Sequence, residues 1–171
     1  QRQMCIRDRH SDIADVKMRS FNRDGSEGRM AGNSIRSVGK YVYDRGILPK
    51  TTLTVETASG VHTLTLYTRD GAVTLCGVTM GRADFAAASL PALTDKAELV
   101  SAPLTVGGKI YTVTCLSVGN PHCVVFDDRI DALDLEVLGP QFEHAPIFPE
   151  RINTEFVRVV NRNMLKMRVY E

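Results

Sequence analysis

The sequence predicts an α+β fold of two small lobes, each a mostly antiparallel sheet with a helix against it. Two observations carry that expectation. A helix-period run after Gly32 is followed by three alternating strand-like runs, and strands with a short helix return after residue 104. Between them, Gly81 to Pro103 is rich in Ala, Ser and Pro without sustained alternation, and reads as the crossing between lobes. The expected parts are therefore 11–82, 83–103 and 104–171.

Each element has its own signal. The opening QRQMCIRDR is arginine-rich, has neither helical nor strand periodicity, and resembles translated sequencing-adaptor sequence at the ends of metagenomic reads. Residues 1–10 are accordingly left out of the fold as a non-native lead. From Ser11, the run SDIADVKMRSFN carries Ile13, Val16, Met18 and Phe21 among polar residues and suits a strand. Asp24, Gly25 and Ser26 read as a turn, Ile35, Val38 and Val42 as the apolar stripe of a short helix, and Gly46 as its end. Asn33 or Ser34 is the natural N-cap.

Thr52 to Thr57, Val61 to Thr68 and Ala72 to Met80 then form an antiparallel meander through Ala-Ser-Gly and Arg-Asp-Gly turns. Leu53 and Val55, Leu64 and Leu66, and Val73 and Leu75 are the expected buried face. Past the crossing, Lys109 to Val118 and Cys123 to Asp127 flank a Gly-Asn-Pro-His turn, and Asp131 to His144 contains a short helix. Glu155 to Val160 and Met164 to Tyr170 form a hairpin.

Composition excludes several function classes. The 171 residues hold 21 basic and 20 acidic side chains, a formal charge of +1, with no basic stripe for nucleic acid and no acidic tail. No apolar run has the length of a membrane span and no signal-peptide pattern is present, so no membrane partner and a cytoplasmic address are expected. Cys5, Cys76, Cys115 and Cys123 are widely spaced and lack clustered histidines, which implies no metal. Cys76 and Cys115 sit in apolar strand-like runs as small hydrophobes, while Cys123 beside His122 is left open.

The most informative stretch is NRDGSEGRMAGNSIR, Asn22 to Arg36, where turns run straight into a helix start. Backbone N–H groups at such a junction hold carboxylates, and Gly32 lets a ligand approach the backbone closely. This stretch resembles the first active-site segment of the diaminopimelate epimerase family. Gly119-Asn120-Pro121-His122-Cys123 resembles the family's GNPHC segment, and Arg151-Ile152-Asn153 with Arg168-Val169-Tyr170-Glu171 resembles its later substrate-binding stretch. The three occur in family order over roughly residues 11 to 171.

The resemblance implies two similar lobes, each a curled sheet around a central helix, with the active site in the cleft between them. It also implies a cofactor-independent isomerase of lysine biosynthesis acting on LL-2,6-diaminopimelate, a small amino-acid substrate, with a homodimer as the assembly. Asn22, Asn120 and Asn153 would hydrogen-bond substrate polar groups, Gly32 and Asn33 would offer amides to its carboxylate, and Glu171 would hold its amino group. His122 and Glu171 would adjust the protonation of the catalytic thiols. Because the family continues beyond Glu171 with a glycine-rich segment carrying a second cysteine, this chain is expected to be an internal fragment, inactive in isolation.

One position departs from the pattern: Ala31 stands where the family has a cysteine, and Ser37 replaces another. A methyl group neither accepts nor delivers a proton. Three readings stay open: another group serves, with Ser34 the nearest hydroxyl; the protein is an inactive relative that still binds amino acids; or the cysteine has been deliberately replaced. A proline racemase or phenazine-biosynthesis isomerase of the wider family is a further alternative.

Overall fold

In the computed structural model, Ile35, Val38, Gly39 and Val42 fall on one face of helix α1 (Gly32–Asp44) and are all buried. The structure describes residues 5–9, 11–21, 25, 27–28 and 32–171, the first group by backbone alone. The chain divides into two compact units, 1–81 and 82–171. Among the described residues no helix is long and apolar enough to cross a membrane.

Unit 1 is a sheet ordered β1-β2-β4-β5-β6, from β1 (Cys5–Arg9), β2 (Val16–Phe21), β4 (Thr52–Thr57), β5 (Gly60–Arg69) and β6 (Ala72–Val78). The two-residue β3 (Glu27–Gly28) pairs with β2. β2 and β4 run parallel, Val16 opposite Val55, and α1 is the crossover between them. The α1 stripe covers Val16, Met18, Leu53, Val55, Leu64, Leu66 and Val73. Each fully buried side chain of this kind contributes about 1.5–3 kcal/mol. Gly39 fits because it lacks a side chain: a Cβ there would lie 2.6 Å from Leu64 Cδ2. Gly46, at φ +66°, donates its N–H to the Tyr43 carbonyl while Ile47 donates to Val42, each at 2.9 Å, which closes the helix by a left-handed glycine.

Several expectations are corrected here. Helix α1 begins at Gly32, so Asn33 and Ser34 occupy its first turn rather than its cap, and Asn33 Oδ1 accepts from the Arg36 guanidinium instead of a backbone amide. Cys5–Arg9, inside the stretch expected to be a lead outside the fold, pairs antiparallel with β2 as an edge strand, which is held by backbone bonds that need no apolar periodicity. Leu75 is exposed, not buried. A bulge in the β5–β6 ladder sets Tyr67 opposite Leu75 but Thr68 opposite Val73, and the extra residue, Thr74, turns Leu75 to the outer face.

Unit 2 is a five-stranded sheet ordered β11-β10-β9-β8-β7, from β7 (Ala102–Val106), β8 (Lys109–Ser117), β9 (Pro121–Phe126), β10 (Asn153–Asn161) and β11 (Met164–Tyr170). Its one parallel pair, β9 with β10, again brackets a helix, α2 (Leu135–Glu143). The Asp134 side chain caps α2 by accepting from the Glu136 N–H at 3.1 Å. Phe142 of α2 lies edge-on to Phe156 of β10, centroids 5.4 Å apart, over a core that includes Val113, Cys115, Cys123 and Val125. A parallel strand–helix–strand step flanked by antiparallel pairs thus occurs in both units.

The expected crossing at 83–103 is only partly a connector. Ala87, Leu90 and Leu99 are buried, Leu90 and Leu99 within the unit 2 core, and Asp84 and Ala86 form bridges to Ser117 and Glu98. Strand β7 begins inside it at Ala102 and turns into β8 through Gly107-Gly108, both at positive φ, a two-residue hairpin turn.

Candidate active site

Two of the three motif segments meet on the unit 2 sheet. The Gly-Asn-Pro-His segment carries the chain from β8 to β9. Gly119 takes φ +101°, and the Val118 N–H donates to the Asn120 carbonyl at 3.2 Å. Pro121 opens β9, so His122 is a strand residue and projects to the face opposite Cys123. Across the parallel ladder His122 lies level with Asn153, the first residue of β10. Residues distant in sequence become lateral neighbours through this pairing.

A third residue, Glu155, completes the group. Two positions along β10, it shares a sheet face with Asn153, and its Oε1 lies 2.7 Å from His122 Nδ1. The other ring nitrogen, Nε2, lies 3.0 Å from Asn120 Oδ1. Asn120, His122 and Glu155 therefore form one hydrogen-bonded chain, with the His122 side chain 22% and the Glu155 side chain 12% exposed. Glu155 Oε2 has no hydrogen-bond partner among the described residues. Sequence reasoning missed Glu155; its signal was the one carboxylate of β10, two residues from Asn153 and beside Phe156 and Val157.

The remaining residues are less closely tied. Glu171 is exposed and follows Tyr170, which pairs with Thr154, so it leaves β11 at the level of Asn153. Arg168 points the other way: its Nη1 donates to the Ile130 and Leu133 carbonyls, each at 2.7 Å, and anchors β11. Gly32 and Asn33 open α1, where the first N–H groups of a helix lack intrahelical acceptors. The Gly32 carbonyl accepts from Arg36 Nε at 3.2 Å. Asn22, Asp24 and Ala31 lie outside the described residues.

The question left open at Cys123 is answered by its position. It is fully buried, opposite Cys115 in the β8–β9 ladder, and its thiol is pushed far above the ordinary range by the hydrogen bond with Cys115 and by burial. It is a core thiol. Burial also raises the half-buried Cys76 thiol.

The family model for diaminopimelate epimerase matches residues 4–86 and 114–171. A diaminopimelate epimerase from Acetivibrio thermocellus is 48% identical over 161 residues, covering 94% of this chain and 58% of its own length. One from Desulfovibrio desulfuricans is 47% identical over 167 residues, with the same coverage of 94% and 58%. This chain thus spans under two thirds of the length of these curated relatives. Among solved structures, a hydroxyproline epimerase from Agrobacterium vitis with bound trans-4-OH-L-proline shares the fold, with a TM-score of 0.67 at 15% identity over 96% of this chain and 51% of that one. With its motifs in order and most of its length matched, the chain belongs to the diaminopimelate epimerase family.

Proposed function

We propose that this chain is part of a diaminopimelate epimerase that interconverts LL- and meso-2,6-diaminopimelate in lysine biosynthesis. The observation that carries the reading is the lateral meeting of His122 and Asn153, which joins the two later motifs on one sheet face. Removing an α-proton without an electron sink requires fixed hydrogen bonds to the developing charge and exclusion of water. In this reading Asn22, Asn120 and Asn153 hold the substrate's polar groups, and the Gly32 and Asn33 amides take a carboxylate. Glu171 takes an amino group, and His122 handles protons with it. Inversion needs proton transfer at both faces of the α-carbon, and because Ala31 supplies neither base nor acid at its position, another group serves there in this reading, Ser34 being the nearest hydroxyl in sequence. A cytoplasmic homodimer without a cofactor completes the proposal.

The test is α-hydrogen exchange. The gene product that contains this chain, incubated with LL-diaminopimelate in deuterium oxide, is expected to place deuterium at the α-carbon, and A31C is expected to raise the rate at least tenfold. Binding by calorimetry with no exchange in either form would replace the enzyme with an amino-acid-binding protein. Neither binding nor exchange would reject the substrate.

A further inference from the structure

We propose that Glu155 is a positioning residue for His122: its carboxylate fixes a proton on Nδ1 and leaves Nε2, the nitrogen facing Asn120, as the ring atom that gains and loses a proton. The use of that proton in catalysis rests on the epimerase reading above; the assignment of the ring nitrogens rests on the geometry together with an ionised Glu155.

An ionised carboxylate only accepts, so with Glu155 ionised the 2.7 Å contact at Oε1 has Nδ1 as its donor. The second oxygen of Glu155 is buried without a partner among the described residues, so the Nδ1–H bond is the visible compensation for burying this charge. The carboxylate is also held in place. Its neighbours in β10, Thr154 and Phe156, are fully buried, and β10 is paired on both edges. His122 is fixed in turn by the ladders of β9 with β8 and with β10.

Nε2 faces Asn120 Oδ1 at 3.0 Å. When Nε2 carries a proton it donates to that oxygen, and the positive ring lies between a carboxylate and an amide oxygen. When Nε2 has lost its proton it becomes an acceptor like Oδ1, so the Asn120 amide turns over to donate an N–H to Nε2 while Nδ1 keeps its own proton. While Oδ1 accepts from the ring, the Asn120 amide group keeps both N–H donors for a ligand. A buried carboxylate that orients a histidine, which in turn aims at the reacting side, is an arrangement used in nucleophile–base–carboxylate triads. Here it aligns an asparagine.

Nitrogen NMR tests the assignment on this 171-residue chain. In long-range proton–nitrogen spectra recorded with the ring neutral, and with the signals assigned through H122N, His122 is expected to show a protonated, pyrrole-type Nδ1 and a pyridine-type Nε2. Unconstrained neutral histidines favour the opposite form. E155Q, whose amide oxygen still accepts, is expected to keep the pattern, and E155M to lose it. A pyridine-type Nδ1 in the unsubstituted protein, or an unchanged pattern in folded E155M, would overturn the proposal. If E155M does not fold, the unsubstituted spectrum decides alone. Failure of α-hydrogen exchange would reject the epimerase reading and leave the ring assignment standing.

Discussion

Replacing Thr154 with valine should stabilise the protein, against the usual direction for a substitution in a packed core. Thr154 is 0% exposed in the middle of the unit 2 sheet, and its hydroxyl has no hydrogen-bond partner among the described residues. Burying a hydroxyl unpaired costs about 1–3 kcal/mol, and the methyl that replaces it adds about 0.8 kcal/mol of transfer free energy. Valine keeps the β-branched shape. Allowing for imperfect packing of the new methyl, T154V should gain about 1–2 kcal/mol, or about 2–4 °C in Tm per kcal/mol for a chain of this size. Urea unfolding followed by circular dichroism reads the gain as a higher midpoint at unchanged slope in the transition that includes unit 2. Because Asn153 and Glu155 project from the other face of β10, the His122 nitrogen pattern should not change. A loss of about 1 kcal/mol or more would refute the reasoning, since it would mean that the hydroxyl is bonded to a buried water and that this layer is not dry.

Other perturbations follow from contacts elsewhere. The Asp15 carboxyl lies below the usual aspartate value of 3.8, chiefly through its bond to Lys50 and then the Thr54 N–H. Its stabilisation is therefore full above that value and lost as pH falls through the lower folded-state value, and D15N should show a shallower acid-unfolding curve below about pH 4. A Cβ at Gly139 would lie 2.1 Å from Tyr170 Cγ, so G139A should cost about 1–3 kcal/mol by overpacking and displace the end of β11, read by thermal melts and by the Tyr170 NMR signals. F156A empties a fully buried position against Phe142 and should cost about 3–5 kcal/mol in urea unfolding.

Local patterns were legible in the sequence wherever one element decided its own structure. The stripe Ile35, Val38 and Val42 and the stop at Gly46 read directly, because both depend on helix geometry alone. So did the Asp70-Gly71 hairpin turn, whose two positive φ angles favour those residues. What failed depended on partners. Leu75 was misplaced because a bulge is a property of two strands, and β7 was overlooked because Pro103 lies within it and Gly107-Gly108 was not read as its turn.

The candidate site shows the same division. His122 and Asn153 were found as motif residues, but nothing local reveals that their strands run side by side and parallel. Parallel pairing depends on the helix that crosses between the strands, and only that pairing brings Glu155 to His122. A single carboxylate in a strand gives no indication of which ring it faces.

The most direct measurement is a crystal structure of the gene product containing this chain with meso-diaminopimelate bound. One ligand molecule within hydrogen-bond distance of both the Asn120 and Asn153 side chains, with Glu155 still on His122 Nδ1, is the predicted result. A ligand bound away from these asparagines, or one that seats only after the His122–Glu155 contact has broken, would contradict the account.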